Sequence, residues 1–184
     1  MSVQTVKEVS AHSTMAEVLE LFPGAQRALF RKYHIGGCSS CGFSPQETLG
    51  QLCARNGNLN LGEVIQEIER SHQADLKILV EPKELSAWRA EGVSMRLLDI
   101  RTREEFEAAR IEGAILFTQE IMNEMLGRWP RNDLLVIYDH KGRQCMDAAA
   151  YFLGHSFTNV RALRGGIDAW SQEVDSAVRR YKTE

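Results

Sequence analysis

The chain has 184 residues, is 43% hydrophobic and carries a formal net charge of −3. This apolar fraction predicts a packed core, whereas the slight negative charge and the lack of a basic patch disfavour a nucleic-acid partner. No apolar run approaches membrane-spanning length, and residues 1–8 are too polar for the apolar region of a signal peptide. We therefore expect a soluble cytoplasmic protein whose four cysteines are thiols, metal ligands or transient redox partners.

The first 75 residues carry four predicted helices, at residues 15–22, 25–33, 44–53 and 61–68. Ser13 or Thr14 can cap the first of them. Ser44, followed three residues later by Glu47, predicts the start of the third helix, because this spacing is typical of a capping box. The polar stretch 71–75 predicts a linker to the rest of the chain.

Cys38 and Cys41 precede the third predicted helix, with two residues between them. This spacing lets both sulfurs meet across one turn, and the dipole of the helix that follows lowers a thiol pKa. Cys38 and Cys41 are therefore candidate catalytic residues for thiol exchange, without a bound metal or cofactor. Two alternatives stay open: a metal site that adds His34 and Cys53, and a loop that holds two small residues. Cys53 itself falls in an apolar helical pattern, which favours a buried and inert thiol.

From residue 76 onward, short apolar runs alternate with helix-favouring segments. The predicted strands are residues 78–80, 95–100, 114–116, 134–138 and 160–163. Such alternation predicts an α/β fold with a parallel sheet that is covered by helices on both faces. The run 134–138 is uninterrupted, which indicates a strand buried on both faces.

A short polar loop, residues 139–145, joins this central strand to an Ala-rich, helix-favouring segment at 146–153. Such a loop lies at the carboxyl end of a parallel strand. Backbone N–H groups converge there, and the helix N-terminus adds positive potential. The loop is therefore a candidate site for anionic or thiolate chemistry.

Three segments of the C-terminal two-thirds resemble the rhodanese domain. They are Leu98-Asp99-Ile100-Arg101-x-x-x-Glu105-Phe106, Ile111-Glu112-Gly113-Ala114 and Asn159-Val160-x-x-Leu163-x-Gly165-Gly166-Ile167-x-Ala169-Trp170. The resemblance covers about residues 76–182 and implies a rhodanese-like parallel sheet flanked by helices. In an active rhodanese, the loop after the central strand typically reads Cys-x-x-Gly-x-Arg, and its cysteine carries a persulfide in a cradle of loop amides.

This chain departs from that loop pattern. When the loop is aligned on Gly142, Asp139 stands at the cysteine position, Gln144 at the arginine position and Cys145 at a position where serine is frequent. A carboxylate cannot accept sulfane sulfur as a thiolate does, so we expect standard thiosulfate sulfurtransferase activity to be weak or absent. Asp139 can instead accept the loop N–H bonds as a fixed charge and exclude anionic substrates.

Cys145 is a candidate for a displaced catalytic nucleophile. It falls in the first turn of the helix, where the dipole lowers a thiol pKa, and Lys141 and Arg143 add positive charge nearby. The alternative is a small buried thiol that only packs. His140, in the same loop, is either a proton donor or a solvated histidine.

Residues 10–72 resemble the small helical redox-disulfide domain found with hybrid-cluster proteins. The matching residues are Leu19, Phe22-Pro23, Leu29, Tyr33-x-Ile35, Cys38-x-x-Cys41, Glu47-Thr48-Leu49 and Asn56-Gly57. This resemblance implies an all-helical domain with Cys38 and Cys41 as its active pair, and no established substrate.

The sequence thus predicts two domains, a helical Cys-x-x-Cys domain at 1–75 and a rhodanese-like domain at 76–184. We expect a sulfur-handling or thiol-redox protein whose partner is a sulfane-sulfur or thiol compound, either a protein or a small molecule. Neither nucleic acid nor membrane is an expected partner. Two alternatives are a non-catalytic rhodanese-fold binding or regulatory module, and a sulfurtransferase that uses Cys145.

Overall fold

The computed structural model describes residues 8–36 and 42–181, and the chain divides into two compact units. One unit ends at Lys77 and the other begins at Ile78. Within the described residues, no helix is both long and apolar enough to cross a membrane.

The first unit is helical. Its elements are α1 (Met15–Leu21), α2 (Ala25–Tyr33), α3 (Leu49–Arg55) and α4 (Leu61–Ile78). Thr14 caps α1 in a capping box with Glu17, as its position before the apolar run predicts. The four helices bury one apolar core, whose fully buried side chains include Met15, Leu29 and Leu52.

Two sequence predictions for this unit are wrong. The third helix begins at Leu49 rather than near Ser44, because Thr48 and Gln51 form the capping box while Glu47 pairs with Arg55. The predicted linker at 71–75 is part of α4. It stays helical because Ser71 is buried and Asp75 accepts a hydrogen bond from Arg27 at 2.7 Å.

The second unit alternates strands and helices. Its elements are β1 (Leu79–Val80), α5 (Pro82–Ala90), β2 (Arg96–Asp99), α6 (Arg103–Ala108), β3 (Ile115–Leu116), α7 (Gln119–Arg128), β4 (Leu135–Tyr138), α8 (Gln144–Gly154), β5 (Val160–Leu163) and α9 (Gly166–Glu173). The strands described form one parallel sheet in the order β1-β5-β4-β2-β3. The predicted α/β class, a parallel sheet flanked by helices, is confirmed.

Strand β4 lies at the centre of the sheet, and all four of its residues are buried. Leu135 and Ile137 pack into the core on one face, while Val136 and Tyr138 pack into the core on the other. Successive strand side chains point to opposite faces, so burial of both faces requires the continuous apolar run that the sequence contains. Since β4 is parallel to its neighbours β2 and β5, the loops that follow all three strands meet at one edge of the sheet.

Candidate functional site

The loop after β4 is organised around the side chain of Asp139, which is only 4% exposed. Its carboxylate accepts backbone N–H groups from Gly142, Arg143 at 3.1 Å, Gln144 at 2.6 Å and Cys145 at 3.4 Å. The last two residues form the start of α8. The carboxylate therefore occupies the point at which the loop amides and the N-terminus of α8 converge, where a negative charge is favoured.

The turn between β5 and α9 holds the same loop from its other side. Ile167 donates its backbone N–H to the carbonyl of Asp139 at 2.9 Å, and Asp168 donates to the carbonyl of His140 at 3.1 Å. Gly166 has φ +60, and a Cβ at this position would collide with the backbone of Asp139 and His140. Glycine is required here because the two backbones approach too closely for any side chain.

Cys145 does not have the environment of a reactive thiol. Its side chain is fully buried, and Sγ is 3.9 Å from the carbonyl oxygen of Leu163. Burial and then the negative charge of Asp139 raise the pKa of Cys145 well above its ordinary value. The expectation that the helix dipole lowers this pKa is wrong, because loss of solvation and the adjacent carboxylate outweigh the dipole.

The remaining loop side chains are distributed between solvent and the interior. Lys141, Arg143 and Gln144 are exposed. The ring of His140 packs against the ring of Tyr181, with centroids 4.6 Å apart. Both imidazole nitrogens are sealed from solvent and have no hydrogen-bond partner within residues 8–36 and 42–181. The two ring nitrogens of His140 are therefore not solvated as those of a polar-loop histidine would be, although the residue as a whole is half-buried.

A buried ion pair supports the neighbouring strand end. Asp99 and Arg101 are both inaccessible, and Arg101 donates Nε to Asp99 Oδ1 at 2.9 Å and a second N–H to Oδ2. Arg101 also donates to the carbonyl of Ala109 at 2.7 Å and to the hydroxyl of Tyr181. Burial opposes the charge, yet the hydrogen bonds and charge of Asp99 keep the pKa of Arg101 above its ordinary value. The pair ties the end of β2 to the chain before β3.

Tyr181 is the site residue that sequence reasoning missed. Its hydroxyl donates to Glu105 Oε1 at 2.8 Å and accepts from Arg101, while its ring covers His140. A single aromatic residue in a polar stretch carries no periodicity or motif, so no local signal connects it with the loop.

The sequence-predicted thiol pair, Cys38 and Cys41, lies outside the described residues. Cys53 is 4% exposed in the helical core, and burial raises its pKa. Because metals bind the thiolate form, this environment disfavours the metal site that would use Cys53 with His34.

The model of the rhodanese-like domain family matches residues 81–173, half of the chain and the whole of the loop after β4. The chain belongs to the rhodanese-like family.

The rhodanese-like match extends to proteins named as sulfurtransferases. The adenylyltransferase and sulfurtransferase UBA4 of Candida albicans is 24% identical over 196 residues, which is 98% of this chain and 44% of that protein. A sulfurtransferase of Allochromatium vinosum is 29% identical over 93 residues, 50% of this chain and 87% of that protein. The crystal structure of the BH2092 protein from Bacillus halodurans is 25% identical and covers 59% of this chain and 81% of its own, with a TM-score of 0.49. The chain thus spans less than half the length of UBA4.

Proposed function

We propose that this protein handles sulfur or thiol redox through Cys38 and Cys41, and that its rhodanese-like domain binds a partner without transferring sulfur at the loop after β4. One observation carries the proposal. The carboxylate of Asp139 binds the loop amides, and the resemblance to the rhodanese loop pattern aligns this residue with the cysteine.

The chemistry of the loop supports the absence of sulfur transfer. A carboxylate offers no thiolate to attack a sulfane sulfur, so no persulfide can form at position 139. The amides that would stabilise an incoming anion already bind the Asp139 oxygens, and a second negative charge beside them is disfavoured. What the loop still offers is a fixed shape with exposed Lys141 and Arg143, which suits docking better than catalysis.

The exchange step assigned to Cys38 and Cys41 is thiol–disulfide chemistry. One thiolate of the pair attacks a disulfide of the partner, forming a mixed disulfide and releasing a partner thiolate. The second thiolate then attacks the mixed disulfide, which leaves a Cys38–Cys41 disulfide and a partner reduced by two electrons. From a partner persulfide, one thiolate instead takes the outer sulfur as its own persulfide and releases the partner thiolate. Attack by the second thiolate then forms the Cys38–Cys41 disulfide and releases that sulfur as sulfide. The domain limits 1–75 and 76–184, a helical redox-disulfide character for the first domain and a cytoplasmic location belong to the same proposal.

Mass spectrometry of the whole protein after incubation with a sulfane-sulfur donor, with peptide mapping, tests this function. We expect added sulfur or a disulfide only at Cys38 and Cys41. The double variant Cys38→Ser, Cys41→Ser should lose the modification, whereas Cys53→Ser, a change at a buried thiol, should keep it. Exchange that continues unchanged in the double variant would refute the assignment.

A thiosulfate:cyanide sulfurtransferase assay tests the loop separately. We expect no activity above background for the wild-type protein and for Cys145→Ser, and a gain of sulfur loading at position 139 in Asp139→Cys. Wild-type activity that disappears in Cys145→Ser would establish the displaced nucleophile instead. If neither thiosulfate nor a disulfide donor modifies any cysteine, the alternative of a binding module without thiol chemistry is favoured.

A further inference from the structure

The chain beyond α9 returns across the edge of the sheet that carries the loop. We call residues 175–181 the C-terminal strap. Its first half is fastened to α9, where the Ser171 hydroxyl donates to the carbonyl of Val178 at 2.6 Å. Its second half is fastened by Arg180, which donates to Asp168 Oδ1 at 2.8 Å, and by Tyr181.

Tyr181 places the end of the strap on the loop after β4. The hydroxyl hydrogen-bonds to Arg101, just after β2, and to Glu105 of α6. The ring packs against the ring of His140 in the loop. One side chain thus contacts both the segment after β2 and the loop after β4 at this edge of the sheet.

With the strap in place, the protein gains these hydrogen bonds but leaves buried polar atoms of His140 without partners among the residues described. Both ring nitrogens of His140 are shielded from solvent and without a partner in the described part of the chain, and the His140 ring contacts Tyr181 of the strap. Buried polar atoms of this kind lose their hydrogen bonds to water, so they favour any state that exposes them. The contacts that oppose opening are the packing of Val178 on the core, the hydrogen bonds of Ser171 and Tyr181, and the Arg180–Asp168 pair. The last of these is largely exposed and therefore weak.

We propose that the C-terminal strap is a detachable, autoinhibitory cover of the loop after β4, and that its release exposes the imidazole of His140 beside Lys141. On the docking role proposed above, on which this point rests, a partner on the loop competes with Tyr181 for this surface. Release changes access only and involves no sulfur chemistry, so it can be tested apart from Cys38 and Cys41.

Diethyl pyrocarbonate acylates accessible neutral imidazole nitrogens, and peptide mapping gives the rate at each histidine. In the whole wild-type protein we expect His140 to react at least about tenfold more slowly than the exposed His155, since reaction requires local opening. Tyr181→Ala should raise the His140 rate by about tenfold, which corresponds to the loss of one or two hydrogen bonds. Tyr151→Ala is the matched control, because Tyr151 stacks on His155 with centroids 4.1 Å apart, and it should leave His140 unchanged.

Equal rates at His140 and His155 in the wild-type protein would overturn the proposal, as would a slow His140 in folded Tyr181→Ala. Tyr181→Phe keeps the ring and removes the hydroxyl hydrogen bonds, so it should raise the His140 acylation rate by less. This variant replaces Tyr181→Ala in the test if the alanine variant does not fold. Hydrogen exchange of the wild-type protein provides a second measurement. Amides of the strap should exchange faster than those of β4, and equal protection of both would show that the strap belongs to the core.

Discussion

Asp139, in the loop after β4, is linked to Cys145 at the start of α8. The Asp139 carboxylate accepts the backbone N–H of Cys145 at 3.4 Å, and its charge adds to burial in raising the pKa of the Cys145 thiol. The residue that binds the loop amides thus also disfavours ionisation of the Cys145 thiol. Both effects come from one carboxylate, which is buried beside the loop amides and the thiol.

Asp139→Ala is expected to destabilise the α/β unit by about 1–3 kcal/mol, because it removes the acceptor of the loop N–H groups. Asp133→Ala is the matched control: this carboxylate forms a half-exposed ion pair with Arg96 at 3.4 Å, and its loss should change stability by less than about 1 kcal/mol. Urea unfolding followed by tryptophan fluorescence measures both, since all three tryptophans lie in this unit. Equal effects would mean that the amides find other acceptors.

Arg101→Ala is expected to destabilise the same unit by about 3–5 kcal/mol, because it leaves the inaccessible Asp99 carboxylate without its partner. Arg101→Lys should recover only part of this loss, since an ammonium group cannot form the paired hydrogen bonds of a guanidinium. The exposed Arg103→Ala should change the free energy of unfolding by about 0.5 kcal/mol or less. A loss of less than about 1 kcal/mol in Arg101→Ala would contradict this and indicate that water solvates the Asp99 carboxylate.

Gly166→Ala is expected to destabilise more than Gly92→Ala, although both glycines have positive φ. A Cβ at Gly92 meets nothing within 4 Å, so its effect of about 1–2 kcal/mol is conformational alone. At Gly166 a Cβ would collide with the Asp139 backbone, which adds about 1–3 kcal/mol of overpacking. Thermal unfolding gives the difference, and amide exchange at 142–145 should accelerate only in Gly166→Ala.

Glu67 should make the stability of the helical unit depend on pH in acid. Burial alone would raise the pKa of Glu67, but hydrogen bonds from Arg70 and Lys32 hold it below its ordinary value of 4.5. The unfolded chain therefore binds more protons near that pH, and stability falls as pH drops through the folded-state pKa. Far-UV circular dichroism in urea, from about pH 6 to about pH 3, should detect a flatter profile in Glu67→Gln than in Glu63→Gln. Identical profiles would contradict this role for Glu67.

Strong local patterns predicted much of the fold. The Thr14 cap and the limits of β5 follow from neighbouring residues alone. The buried character of β4 follows from its continuous apolar run. The α/β class could be predicted because strands that alternate with helices allow few arrangements other than a parallel sheet. The structure confirms this class.

Predictions that depended on tertiary contacts were less successful. Ser44 and Thr48 offer competing caps for α3, and the pairing of Glu47 with Arg55 decides between them. The pKa of Cys145 required knowledge of how deeply the core buries it, which the helix dipole alone could not indicate. The pairing of Tyr181 with His140 joins two distant segments, so no window of sequence contains it.

Because Asp139 belongs to the same short loop as the N–H groups it binds, it acts as a tethered ligand. Tethering over a few residues gives an effective concentration on the order of millimolar or above. Free sulfate or phosphate would have to exceed that concentration to displace the carboxylate. The loop should therefore keep one geometry while free sulfate or phosphate stays below that concentration, and the surface it presents should not vary with anions at such levels.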